Sequence, residues 1–272
     1  MSDSIITSFK RYEVKYFLTP AQKEALMPVL LRHFAVDEYG ETTISNVFYD
    51  TDSYEIIRAS IEQPIYKEKL RIRAYGTPDR ETGTVFVELK KKYDGVVYKR
   101  RIFMNPSEVE PFLSFGIIPA GADPQIAAEL LHFMAVHHNP RPKVYLCYDR
   151  TAFFGLEDSS LRITMDRNLR WRDDNVDLCT PPSGGLIIPA DTTLMEIKIP
   201  GVMPLWLSHT LSELGIFRSS FSKIGSCYKQ FIIPRQFPIN SNQESVVKES
   251  CSRVLFPQVS PRPAFSSAHL QL

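Results

Sequence analysis

The stretch "YKEKLRIRAYG", residues 66–76, decides how this chain is read. Lys67, Lys69, Arg71 and Arg73 recur at every second position, with Glu68, Leu70 and Ile72 between them. A period of two belongs to a β-strand, whose successive side chains point to opposite faces. One face of this strand is therefore made of cations. Working outward, the same period recurs over residues 9–17, 42–50, 83–92, 96–104, 141–154, 160–166 and 192–200. The segments 83–92 and 96–104 flank "YDG", a hairpin signal. Strands joined by short connections predict an antiparallel sheet, and a sheet of this size removes its edges by closing on itself.

Period-3.6 patterns fall between the strands. A helix is expected over 19–34, with Thr19 as N-cap and Pro20 in the first turn. Others are expected over 51–61, capped by Thr51 or Asp52, over 105–113, opening at Pro106 or Ser107, and over 123–138. The last two are 203–215, stopped by Gly215, and 219–232, which Gly225 interrupts. The fold class is α+β: an eight-stranded antiparallel β-barrel with flanking helices. Residues 8–234 read as one domain. Residues 235–272, rich in Pro, Ser, Asn and Gln, read as a disordered tail.

Composition narrows the chemistry. A net charge of +1 over 272 residues makes any cationic surface local, which excludes indiscriminate nucleic-acid binding and leaves room for a focused anion site. The four cysteines match no zinc or redox spacing. Neither a signal-peptide core nor an apolar run of membrane-span length is present, so a cytoplasmic setting is expected.

The strand faces carry the rest. Glu13 and Lys15 share a side in the first strand, Glu88 and Lys90 in 83–92, and Lys99 and Arg101 in 96–104. Arg150 aligns with Tyr148, Arg162 with Thr164 and Asp166, and Glu196 with Lys198. For any one strand the plain alternative is a solvated face. Across strands about 5 Å apart, however, repeated like charges repel. The set makes sense if the charged face lines the inside of a closed barrel and holds a polyanion. Arginine forks suit phosphate oxygens. Glu13, Glu88 and Glu196 are candidate ligands for a divalent ion that bridges phosphates, and oxygen ligands favour Mg²⁺ or Mn²⁺. No Walker or dinucleotide glycine motif competes, and His137 and His138 lack ligand spacing.

"RYEVKYFL", "KLRIRAYG", "VFVELKKK…VYKRR", "VYLCYDRTAF", "LRITMDRNL", "LMEIKIPG" and "SSFSKIGSCY" occur in this order. Together they resemble the catalytic domain of the vacuolar transporter chaperone polyphosphate polymerases, within the triphosphate tunnel metalloenzymes. The resemblance implies an eight-stranded tunnel and metal-dependent transfer of the γ-phosphoryl of ATP onto inorganic polyphosphate. It implies that Lys15, Arg71, Arg73, Lys90, Lys99, Arg101, Arg150, Arg162 and Lys198 line the tunnel. It also implies that Arg71, Arg73, Lys90, Arg150, Arg162 and Lys223 are catalytic, that Lys15, Lys99, Arg101, Lys198 and Ser222 bind phosphate, and that Glu196 binds metal; Ser222 and Lys223 belong to the closing helix, with Lys223 capping the tunnel mouth. The first motif departs from the wider superfamily, whose E-x-E-x-K is here Arg11-x-Glu13-x-Lys15. That departure favours a polymerase over a tunnel triphosphatase and makes Glu196 the principal metal ligand. The phosphate-sensing and membrane domains of fungal complexes of this family are not in the sequence, as in stand-alone bacterial members. The alternatives are a triphosphatase acting on tripolyphosphate or a nucleotide, and a non-catalytic polyphosphate-binding module.

Overall fold

Alternating segments form strands, and their apolar positions determine which side the helices cover. The structure, a computed structural model, describes residues 8–9, 12–94 and 96–236. Arg11 and the expected tail beyond Gln236 lie outside the described residues. The first half contains β1 (Ser8–Phe9), β2 (Tyr12–Leu18), α1 (Pro20–Leu30), β3 (Phe34–Asp50), α2 (Glu55–Ile61), β4 (Tyr66–Tyr75), β5 (Val85–Tyr93) and β6 (Val96–Met104). Next come α3 (Pro106–Phe115), α4 (Pro124–Val136), β7 (Arg141–Gly155), β8 (Arg162–Arg172), β9 (Gly185–Leu186) and β10 (Thr193–Ile199). The last elements of this unit are α5 (Leu205–Glu213), β11 (Arg218–Ser219) and α6 (Lys223–Cys227). The chain divides after Cys227. The described part of the second unit is a π-type turn, Tyr228–Ile232, followed by a short helix α7, Ile233–Gln236.

Eight long strands and three two-residue strands make one antiparallel sheet in the order β1-β6-β5-β4-β3-β7-β8-β10-β2-β11, with β9 beside β8. This is the expected tunnel architecture, except that among the described residues the ladder is a path and not a continuous ring. A single run of chain serves both ends. Ser8–Phe9 pairs with β6, and Tyr12–Leu18 pairs with β10. The sheet is curled enough that Glu13 of β2 interacts with Lys90 of β5, from the other end of the ladder.

The apolar core lies outside the curl. Leu70, Ile72, Val87, Leu89 and Ile102 pack beneath α3 and α4 through Phe112, Leu130 and Phe133. Ile163, Met165, Met195 and Ile197 pack beneath α1 and α5 through Leu26, Leu30, Leu207 and Leu211. Glu129 of α4 ties down the outward cations of the hairpin, Lys91 at 3.0 Å and Arg100 at 3.2 Å.

Local signals explain most boundaries. Thr19 and Gln22 form a capping box at α1, and Asp123 accepts from Gln125 and Ile126 at α4. Four expectations are corrected. β3 begins at Phe34 rather than 42, because Ala35 and Val36 pair with β7 before a register shift near Gly40. β8 runs on to Arg172 rather than stopping at 166. α2 starts at Glu55; the expected cap Thr51 accepts from the Glu55 amide through Oγ1 at 3.0 Å, and Asp50, which was not expected, accepts from the Ile56 and Ile57 amides, both at 2.9 Å. The helix expected over 219–232 is α6 alone before the division at Cys227. At Gly225 a Cβ would lie 3.1 Å from Ser222 Cβ and Oγ, so a larger residue there would require the Ser222 side chain to shift.

Leu130 is fully buried between α4 and the sheet. Leu130→Ala is expected to cost about 2–5 kcal/mol through lost burial and a residual cavity. Denaturant unfolding measures this.

Candidate active site in the tunnel

Register places the charged residues on one continuous face. Arg71 lies opposite Glu88, which lies opposite Arg101; Lys69 opposes Lys90, which opposes Lys99. Across the sheet, Thr42 pairs with Arg150, Arg150 with Asp166, and Ala152 with Thr164. Thr164 pairs with Glu196, and Glu196 with Lys15. Paired residues point to the same side, so the cations expected on separate strands converge on the concave face. Lys90 and Lys99 are enclosed by protein on their flanks yet accessible to water, as tunnel-lining groups would be.

One cluster centres on Glu88, which is 1% exposed. Arg71 donates to its Oε2 through Nε at 2.8 Å and Nη2 at 2.7 Å. Arg73 Nε stands 3.9 Å from the same oxygen, and Lys99 Nζ lies 2.5 Å from Oε1. The Lys99 contact is close but poorly directed, so Oε1 lacks a hydrogen bond of good geometry. Burial favours the neutral acid, but Arg71, Arg73 and Lys99 outweigh it and bring the pKa from 4.5 to about 2. Arg73 is itself positioned: Nε donates to Asn46 Oδ1 at 3.0 Å and Nη2 to the Tyr148 hydroxyl at 3.2 Å.

The second cluster holds Asp166 and Glu196. Arg150 grips Asp166 with two bonds of 2.6 and 2.7 Å. Lys223, from α6, reaches Asp166 Oδ2 at 2.6 Å and Glu196 Oε1 at 2.7 Å. Arg150 Nη2 stands 3.5 Å from Glu196 Oε2, and Lys15 Nζ 3.8 Å from Glu196 Oε1. Against its burial, Lys223, Lys15 and Arg150 hold Glu196 well below the usual carboxylate range. Lys223 is raised although burial opposes its charge, because Asp166 and Glu196 face it. The Tyr148 ring lies under both cations, 5.0 Å from the Arg150 guanidinium carbon and 4.8 Å from Lys223 Nζ.

The remaining predicted residues take less committed places. Lys15 also donates to the Phe221 carbonyl at 2.9 Å and stands 3.4 Å from Glu13. Burial lowers Lys90 and Lys198. Arg101 lies over the Phe86 ring at 4.9 Å. Arg162 shares the lining by register with Lys198 but is exposed, donating to the Ser159 carbonyl. The Ser222 hydroxyl accepts from the Gly225 amide, so as placed it caps α6. His137 bonds Glu68 at 2.9 Å on the outer side.

The carboxylates divide by role. Glu88, expected among the metal ligands, is also the counter-ion of three cations, Arg71, Arg73 and Lys99. Glu13 and Glu196 sit on paired strands, each diagonal to the other across β2 and β10. Among the described residues no three His, Cys, Asp or Glu side chains converge as a metal cage. A pair of carboxylates nevertheless fits a hard divalent ion that takes its other oxygens from phosphates and water. Sequence reading overlooked Asn46 and Tyr148, which are positioned by pairing across β3 and β7, and left Lys69 without a role.

Glu88→Gln would leave three cations around an uncharged amide and is expected to cost about 3–5 kcal/mol. The carboxylate's depressed pKa also fixes a sign. Its contribution is present above pH 4.5 and is lost as pH falls toward 2, since the folded state must then take up a proton. Unfolding followed at stepped pH should therefore fall off more steeply in the parent than in Glu88→Gln.

The chain is 23% identical over 190 residues to vacuolar transporter chaperone complex subunit 4 of Schizosaccharomyces pombe, covering 60% of this chain and 26% of that one. It thus spans about a quarter of that relative's length. Among solved structures it is similar to a Bacillus halodurans protein, with a TM-score of 0.48 and 13% identity over 83% of this chain and all of that one. It is also similar to a Hippeastrum protein reported to have a dominant triphosphatase activity, with a TM-score of 0.45 and 16% identity over 80% of this chain and 94% of the other. The family model of the VTC domain matches residues 10–232, and the chain belongs to that family.

Proposed function

We propose that the chain is a polyphosphate polymerase, with residues 8–234 as its catalytic unit and ATP and inorganic polyphosphate as its substrates. The observation that carries this reading is the concave face itself. Arginines and lysines from seven of the long strands, and Lys223 from α6, converge there around four carboxylates, leaving positive charge in excess. Such a lining suits a linear polyanion better than a single phosphate. Family membership and the relative's name point the same way.

The residues divide the work. Arg71, Arg73 and Arg150 are held by Glu88, Asn46 and Asp166 before any ligand arrives. Preorganised donors of this kind stabilise charge on phosphoryl oxygens without reorganising. Lys15, Lys90, Lys99, Arg101 and Lys198 supply further positive charge along the face, and Arg162 stands at its end. Glu196 and Glu13 would hold Mg²⁺ or Mn²⁺, which would neutralise phosphate charge and polarise the phosphorus under attack. Lys223 already lies on Glu196 and would balance the charge of incoming phosphates.

Incubation with ATP and Mn²⁺ should give polyphosphate ladders on a gel. Orthophosphate without chains would replace this reading with a tunnel triphosphatase, and neither product would leave a binding module. Arg71→Ala should lower the rate of chain formation by roughly 100-fold or more, as expected for loss of a charged clamp on the transferring group. Its circular dichroism spectrum should match the parent's. Glu196→Gln should raise the metal concentration needed for half-maximal activity.

A further inference from the structure

The paired arginines account for only part of the cationic strand. Lys69 makes no hydrogen bond or ion pair among the described residues, and its charged neighbours are Lys67 and Arg71 on its own strand, Lys90 on β5 and Lys15 on β2. Its cross-strand partner is Lys90, and the next rung of the same face joins Lys67 to Lys92. Among the described residues Lys67 donates only to the Ser60 carbonyl, at 3.2 Å. Like charges directly opposite in a sheet destabilise it. Of the four carboxylates, Glu88 is engaged with Arg71, Arg73 and Lys99, Asp166 and Glu196 with Arg150 and Lys223, and Glu13 with Lys15 at 3.4 Å; Glu13 also favours the charge of Lys90, and none of the four forms an ion pair with Lys67 or Lys69 among the described residues.

Geometry also sets these lysines apart from the clamp. Alternate strand positions lie about 7 Å apart, so Lys67 to Arg73 spans roughly 20 Å. Three linked phosphates cover less than that length. The lysine rungs run away from the Arg71–Glu88 pair toward the strand ends at Tyr66 and Tyr93.

Resting on the reading of the tunnel as a polyphosphate site, we propose that Lys67, Lys69 and Lys92 form a separate subsite. It would grip the phosphates of a linear chain beyond the three held by the arginines. The ligand class is a linear polyanion of high charge density. The subsite retains the chain and leaves the affinity for a triphosphate unchanged. Burial, reinforced by Lys67, Lys90, Lys15 and Arg71, lowers Lys69 to about 7, so anion binding there is coupled to proton uptake.

The test is binding, without turnover. Sodium tripolyphosphate and long-chain polyphosphate are titrated calorimetrically into the parent and into the triple variant Lys67→Gln, Lys69→Gln, Lys92→Gln. Long-chain affinity should fall about tenfold or more and depend less on salt, while tripolyphosphate affinity changes by less than about twofold. In the parent, long-chain affinity should weaken as pH rises through about 7, and Lys69→Gln should lose that slope. Equal losses for both ligands, no loss for either, or a parent that binds the long chain no more tightly than tripolyphosphate would each overturn the proposal. Because no catalysis is read, a chain that hydrolyses ATP without making polymer fails the functional reading above and leaves this test intact.

Discussion

The structure depends on turning a sheet so that its charged face is concave and its apolar face is convex. In most small sheets with one wet face, the apolar side makes the core and the polar side meets bulk water. Here the core is displaced outward, between the strands and α1, α3, α4 and α5. The polar face is then crowded against itself, and Coulomb repulsion between strands becomes the problem to solve. Glu88, Asp166 and Glu196 answer part of it. Each is almost wholly buried and each is approached by at least two cations. Burying a carboxylate alone would be unfavourable; ringed by cations, it stays ionised and holds the arginines in place.

That answer is uneven, and the unevenness carries the function. Arg71, Arg73 and Arg150 have partners and fixed directions. Lys69 and Lys90 lack an ion pair among the described residues and face one another. A positioned arginine fork recognises the geometry of a phosphoryl group, whereas a mobile ammonium attracts charge without demanding an orientation. The two residue types occupy successive positions of one strand. "YKEKLRIRAYG" thus changes character along its length, from lysine attraction to arginine positioning.

Much of this was legible in the sequence because it is local. The period of two assigned the faces, and Thr19 and Asp123 announced their helices with caps. Its spacing to Arg162 and Thr164 put Asp166 on the charged face, where register sets it opposite Arg150. What was not legible depends on register between strands distant in sequence. Tyr148 reads as an ordinary strand aromatic until β3 and β4 bring Arg73 to its hydroxyl. Asn46 reads as a polar interruption until Arg73 bonds to it. Glu88 has the spacing of a metal ligand, and only the cross-strand rung to Arg71 reveals its guanidinium partner. Asp50 looked like the end of a strand because a cap acting six and seven residues ahead leaves no short motif.

The lysine rungs then pose a question that stability alone cannot answer. Replacing Lys69 with an uncharged residue would remove repulsion from Lys67, Lys90, Lys15 and Arg71 at once. Each such like-charge contact in a sheet is worth on the order of a few tenths to 1 kcal/mol. A sequence shaped by folding stability would place glutamates there, as it does at position 88. Unpaired ammonium groups retained on an enclosed face fit the proposed anion subsite, whose repulsion bound phosphates would relieve. The same repulsion that weakens the empty tunnel is relieved when anions enter it. On the proposed reading, part of the affinity for a polyanion would be stored in the fold as electrostatic strain, greatest where the carboxylates are missing.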